Sequence, residues 1–108
     1  MKVIFHIDEE SKWETLLSNV HHLRQYFDEV NDGQIEVLVN GEAVQSAIKN
    51  SFHDLSVLTK QAHVAVCNNS LEARSIRPAD LQEGVETVPS GVVELALKQA
   101  DGYAYIKP

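Results

Sequence analysis

VAVCNNSLEARSIRP, residues 64–78, is an apolar run that breaks into Asn-Asn-Ser and then takes up helical spacing. Ala62 to Val66 carries the β-branched density of a buried strand. Asn69 with Glu72 three residues on has the form of a helix-start capping pair, ahead of Leu71 and Ala73. A strand that hands over to a helix this abruptly is half of a βαβ unit, the connection that parallel sheets require. The same break places the chain's single cysteine, Cys67, between strand and helix.

Working outward, the pattern repeats. Val3 to Ile7 predicts a first strand, ended by Asp8-Glu9-Glu10. Ser11 and Glu14 then have capping-box spacing, and Trp13, Leu16, Leu17, Val20, Leu23 and Phe27 share one helix face. After Asn31-Asp32-Gly33 comes a second strand, Ile35 to Val39, with Asn40-Gly41 as a turn and Asn40 as an N-cap. Ala43, Val44, Ala47 and Ile48 form the next apolar face, and a short helix is expected over Asp54 to Lys60. Beyond Arg77-Pro78, Val85 to Val88 reads as a fourth strand. Pro89-Ser90-Gly91 leads into a helix over Val92 to Ala100 that stops before Gly102, and Tyr103 to Ile106 closes the series. This alternation predicts an α/β fold of three layers, α/β/α, with a mainly parallel sheet of about five strands covered on both faces. Strand order is not encoded in the pattern. The length of 108 residues fits one domain, residues 1–108.

Sixteen acidic against nine basic residues give a net charge of −7. With no Lys/Arg stripe to reverse it locally, this argues against nucleic acid or an anionic membrane surface as partner. The start, MKVIFHIDEE, turns acidic too soon for a signal peptide, and no stretch approaches a membrane span. A single cysteine cannot close an internal disulfide, so the expected setting is cytoplasmic.

Ligands of open parallel sheets gather beyond the carboxyl ends of the strands. Asp8-Glu9-Glu10, Asn40-Gly41, Cys67-Asn68-Asn69-Ser70 and Pro89-Ser90-Gly91 all reach that edge. A helix start supplies unpaired N–H groups and a partial positive charge, which stabilise a thiolate at Cys67. Asn68, Asn69 and Ser70 surround it in sequence, and Asn40 and Ser90, at neighbouring strand ends, are candidates to orient a substrate. Against this, free cysteine is often a small buried filler, and the acidic triplet would raise the thiol pKa if strand order brought it close. Histidines 6, 21, 22, 53 and 63 lack metal-ligand spacing; His6 and His63, inside strands, read as packed and hydrogen-bonded. Neither a phosphate loop nor a dinucleotide fingerprint is present, and no metal or cofactor is expected.

The stretches MKVIFHIDE, IEVLVNGEAV, VAVCNNSL and VPSGVVELALKQADGYAYIKP, in this order over essentially the whole chain, resemble the small single-domain members of the DsrE/DsrF-like family. That family is associated with sulfur relay and intracellular sulfur oxidation. The resemblance implies a five-stranded α/β/α domain assembled as a homo-oligomer, trimer or hexamer, with sulfur donor or acceptor proteins as partners. It also implies that Cys67, by its position after the third strand, accepts sulfur as a persulfide. The alternative is an oligomeric small-ligand-binding or regulatory module without turnover, in which Cys67 is packing.

Overall fold

The computed structural model describes residues 1–108. Five strands, β1 (Lys2–Ile7), β2 (Gln34–Val39), β3 (His63–Cys67), β4 (Glu86–Val88) and β5 (Ala104–Ile106), form one sheet in the order β4-β3-β2-β1-β5. Every pairing is parallel, with Ile4 opposite Tyr105, His6 opposite Leu38, Leu38 opposite Ala65, and Cys67 opposite Val88. The α/β class with a five-stranded parallel sheet is as the sequence pattern predicts. The helices are α1 (Trp13–Val30), α2 (Leu58–Gln61), α3 (Asn68–Ala73) and α4 (Gly91–Ala100). None is long and apolar enough to cross a membrane.

Because successive strand residues point to opposite faces, each strand divides its side chains between two unequal layers. Val3, Phe5, Ile7, Ile35, Val37, Val39, Val64 and Val66 join Trp13, Leu16, Val20 and Phe27 of α1, together with Leu58 and Leu71, in a cluster of 19 buried residues. The Trp13 indole N–H, buried within it, donates to the Ala43 carbonyl at 3.2 Å, so the largest core side chain leaves no orphan donor. On the other face only Ile4, Leu38, Ala65 and Leu95 of α4 form a buried cluster. Coverage of the two faces is therefore less even than the sequence reading expected.

Several element ends differ from expectation. The Ser11/Glu14 capping box does not form: residues Glu10–Lys12 make a 3₁₀ turn, and α1 starts at Trp13 without a side-chain cap. Glu10 reaches across instead to Ser46, its carboxylate accepting from Oγ at 2.6 Å and from the backbone N–H at 3.2 Å. After β2 the chain runs as a 3₁₀ segment, Gly41–Ala47, and Asn40 does not cap it. The helix expected from Asp54 shrinks to Leu58–Gln61, since Asp54 Oδ1 accepts from the Ser56 N–H at 2.9 Å in a local turn that competes with helix. Helix α3 opens two residues early, with Cys67 itself at the N-cap position. The partner of Glu72 is thus Asn68, whose amide donates to it at 3.1 Å.

Candidate functional site at the carboxyl edge of the sheet

Cys67 ends β3 on the face that carries α4, and is only 5% exposed. Two helix starts converge on it. Its own helix, α3, begins directly after it, and the first residue of α4, Gly91, donates its N–H to Sγ at 3.2 Å. The Ser70 hydroxyl oxygen accepts from the Gly41 N–H at 2.9 Å, which leaves its own O–H to donate to the thiol. Burial pushes the thiol pKa up. The Ser70 hydroxyl and the N–H groups of Ser70, Gly91 and Asn69 outweigh that, and the net shift is downward.

Glycine at 91 is a requirement of close approach. A Cβ there would lie 3.2 Å from Cys67 Cβ, 3.2 Å from Leu38 Cδ1 and 3.3 Å from Asn40 Cβ. Any larger residue would push the α4 N-terminus off the sulfur. Gly41 answers a different need: its φ of +57° is left-handed, and it lets the chain pass Asp8 and meet Ser70.

The residues singled out from sequence fall into two groups. Ser70 and the Asn69 backbone are at the sulfur, and Asn40 lies beside it across Gly91. The Asn68 side chain is turned to Glu72, and Ser90 contributes its carbonyl to the Glu94 N–H while its side chain caps nothing. The feared influence of the acidic triplet is absent. β2 separates β1 from β3, Asp8 pairs with Lys107 at 3.0 Å, Glu10 is held by Ser46, and none of the three contributes to the thiol's shift.

For two histidines the structure extends or corrects the sequence reading. His6 hydrogen-bonds through Nδ1 to the Tyr105 hydroxyl at 2.6 Å and through Nε2 to Asn40 Oδ1 at 2.8 Å. The signal was the strand alternation: His6 is in phase with Ile4, on the face opposite Phe5 and Ile7. Only strand order, however, reveals that Tyr105 and Asn40 flank it. His63, expected to be packed, is instead exposed, with Glu86 4.0 Å away.

At the opposite, amino end of the strands lies the largest cleft, about 470 Å³, lined among others by Arg24, Lys60, His63, Lys98 and Glu36. Glu36 is 2% exposed, its Oε2 has no hydrogen-bond partner, and Lys98 Nζ is 3.5 Å from Oε1. Burial, then the neighbouring Glu94 carboxyl, push its pKa up to about 7 against the pull of Lys98.

With this geometry in hand, comparison with known proteins is direct. No curated protein matches the chain. Among solved structures, a protein of unknown function from Methanobacterium thermoautotrophicum, MTH1491, is 34% identical over 99% of this chain and 98% of its own, with a TM-score of 0.85. The YchN protein of E. coli shares the fold at 19% identity, covering 99% of this chain and 97% of its own with a TM-score of 0.73. A family model matches residues 3–108, and by that match the chain belongs to the DsrE/DsrF-like family.

Proposed function

We propose that the protein is a sulfur carrier in which Cys67 accepts a sulfane sulfur as a persulfide and passes it to an acceptor thiol. Family membership suggests sulfur relay, and the observation that carries the reading is the placing of the Cys67 sulfur at the start of two helices, where the Gly91 N–H donates to it. In the loading step the Cys67 thiolate attacks the outer sulfur of a donor R–S–SH. A new S–S bond forms, the donor's S–S bond breaks, and R–S⁻ leaves with the electron pair, so no external oxidant is needed. Unloading is the same exchange with an acceptor thiolate attacking the outer sulfur on Cys67. The role requires a reduced thiol and hence a cytoplasmic setting. A homo-oligomer, trimer or hexamer, goes with this reading: Val92, Val93 and Leu97 on α4 are exposed apolar residues suited to a subunit contact. Donor and acceptor proteins would then meet the carboxyl edge.

The test is alkylation of Cys67 in the folded protein across pH, with mass detection after incubation with a low-molecular-weight persulfide. A thiol titrating below about 8.5 together with a gain of one sulfur, lost in Cys67→Ser, is the expected result. An inert thiol and no added sulfur would discard the carrier. A second reading, a binding module without turnover, is favoured by the 5% exposure of Cys67 and by the cleft at the amino edge. Ligand binding there that is unchanged in Cys67→Ser would support it.

A further inference from the structure

The face of the sheet that carries Cys67 also carries a polar row along its carboxyl edge: Tyr105 on β5, His6 on β1, Asn40 after β2, and Cys67 on β3. The hydrogen bonds in this row have a direction. Asn40 Oδ1 can only accept, so His6 Nε2 donates to it; in the neutral ring Nδ1 is then the bare nitrogen and accepts from the Tyr105 O–H. Each bond therefore points the same way, from Tyr105 to His6 to Asn40. At the end of the chain, the Asn40 oxygen is occupied and its Nδ2–H groups are left to donate. Asn40 lies next to Cys67 there, since both Cβ atoms are within 3.3 Å of the point a Gly91 Cβ would occupy.

We infer that Tyr105–His6–Asn40 is a hydrogen-bond relay that presents the Asn40 amide to the anionic outer sulfur of a hydropersulfide on Cys67. This rests on the carrier reading and deepens it by naming the residues that hold the cargo. The division of labour is physical. The Ser70, Asn69 and Gly91 donors converge on Sγ itself and act on the bare thiolate. On loading, the negative charge moves one atom outward, and a second donor is needed where that charge arrives. A lone asparagine rotates freely; one whose oxygen is held by an imidazole that is itself held by a phenol keeps its N–H groups aimed. Polarisation along the chain strengthens the last donor. His6 and Tyr105 are thus positioning residues, and Asn40 is the group that touches the cargo.

Titration of the loaded and unloaded forms tests the relay, using cysteine hydropersulfide as donor and following the persulfide anion by absorbance and the bare thiol by alkylation rate. A hydrogen bond to a charged group supports about a ten-fold change in the ionisation equilibrium. Asn40→Ala should therefore raise the apparent pKa of the loaded form by about one unit and leave that of the bare thiol nearly unchanged. Asn40→Asp keeps an oxygen for His6 and the shape of the side chain, but sets a carboxylate against the cargo; it should shift the loaded form further than alanine does. Tyr105→Phe, at a half-exposed edge position, should shift it in the same direction by less. A merely structural role predicts that Asn40→Ala leaves the loaded form unshifted, or that it moves both forms by the same amount, and either result overturns the relay while leaving the carrier standing. A parent protein that takes up no sulfur overturns the carrier reading itself, and the relay falls with it.

Discussion

The two faces of the sheet are built from alternate residues of the same strands, yet they have almost nothing in common. In β1, Val3, Phe5 and Ile7 enter the 19-residue cluster under α1, while Ile4 and His6 face α4. In β2, Ile35, Val37 and Val39 are packed on the first side, and Glu36, Leu38 and Asn40 turn to the second. β3 divides Val64 and Val66 from Ala65 and Cys67. The α1 face is continuous hydrocarbon; the α4 face alternates apolar contacts with a buried carboxylate, an imidazole, an amide and a thiol. A parallel sheet needs both faces covered, and here one face supplies the stability that lets the other hold polar groups at a cost. The three largest fully buried side chains, Trp13, Phe5 and Phe27, all belong to the first side.

If that division is real, core truncations should differ by face. Trp13→Ala removes the central side chain of the thick layer and leaves the Ala43 carbonyl without its donor, so a loss of about 4 kcal/mol is expected. Leu95→Ala, in the four-residue cluster beneath α4, can relax towards solvent and should cost about 2 kcal/mol. Urea unfolding of both variants measures the difference; equal losses would break the contrast between the faces.

Glu36 sharpens it. In the unfolded chain its carboxyl titrates near 4.5, and in the folded protein near 7. The folded state thus holds the proton more tightly between those values. Its favourable contribution is fully present below pH 4.5 and is lost as pH rises through 7. Glu36→Gln removes the charge and keeps the shape. It should match the parent near pH 4.5 and exceed it above pH 7 by on the order of 2 kcal/mol, after the loss of the Lys98 contact is set against the gain. A parent whose urea midpoint is flat from pH 4.5 to 7 would show that the thin face bears no such cost.

Much of this was legible in the sequence because period-2 and period-3.6 patterns are local. The five strands, the α1 core face and the α4 boundaries follow from runs such as Val3–Ile7 and from Gly102 past the last helix. Cys67, Ser70 and Asn40 were readable as edge residues for the same reason. What was not legible depends on who lies beside whom. Glu10 looked like part of a free acidic triplet until Ser46, 36 residues on, took its carboxylate. His6 was readable as a packed, hydrogen-bonded residue but its partners were not: the order β2-β1-β5 sets Asn40 and Tyr105 on either side of it. The expected cap at Asn40 failed because a distant group, His6, holds its side-chain oxygen.

The smallest expected effect lies on the outer side of α4, where the thin face ends in solvent. Val92, Val93 and Leu97 are 71%, 54% and 61% exposed. In a lone chain, Leu97→Ser removes little buried surface and should change unfolding stability by no more than about 0.5 kcal/mol. If these residues join subunits, the same substitution acts through assembly. Sedimentation should then show a shift towards smaller species, and stability should become dependent on protein concentration. The two outcomes bear on why the α4 face has only one helix. A surface that is finished within one chain tolerates the serine. A surface that a second copy completes does not, and the thin layer would then be thin only until the subunits meet.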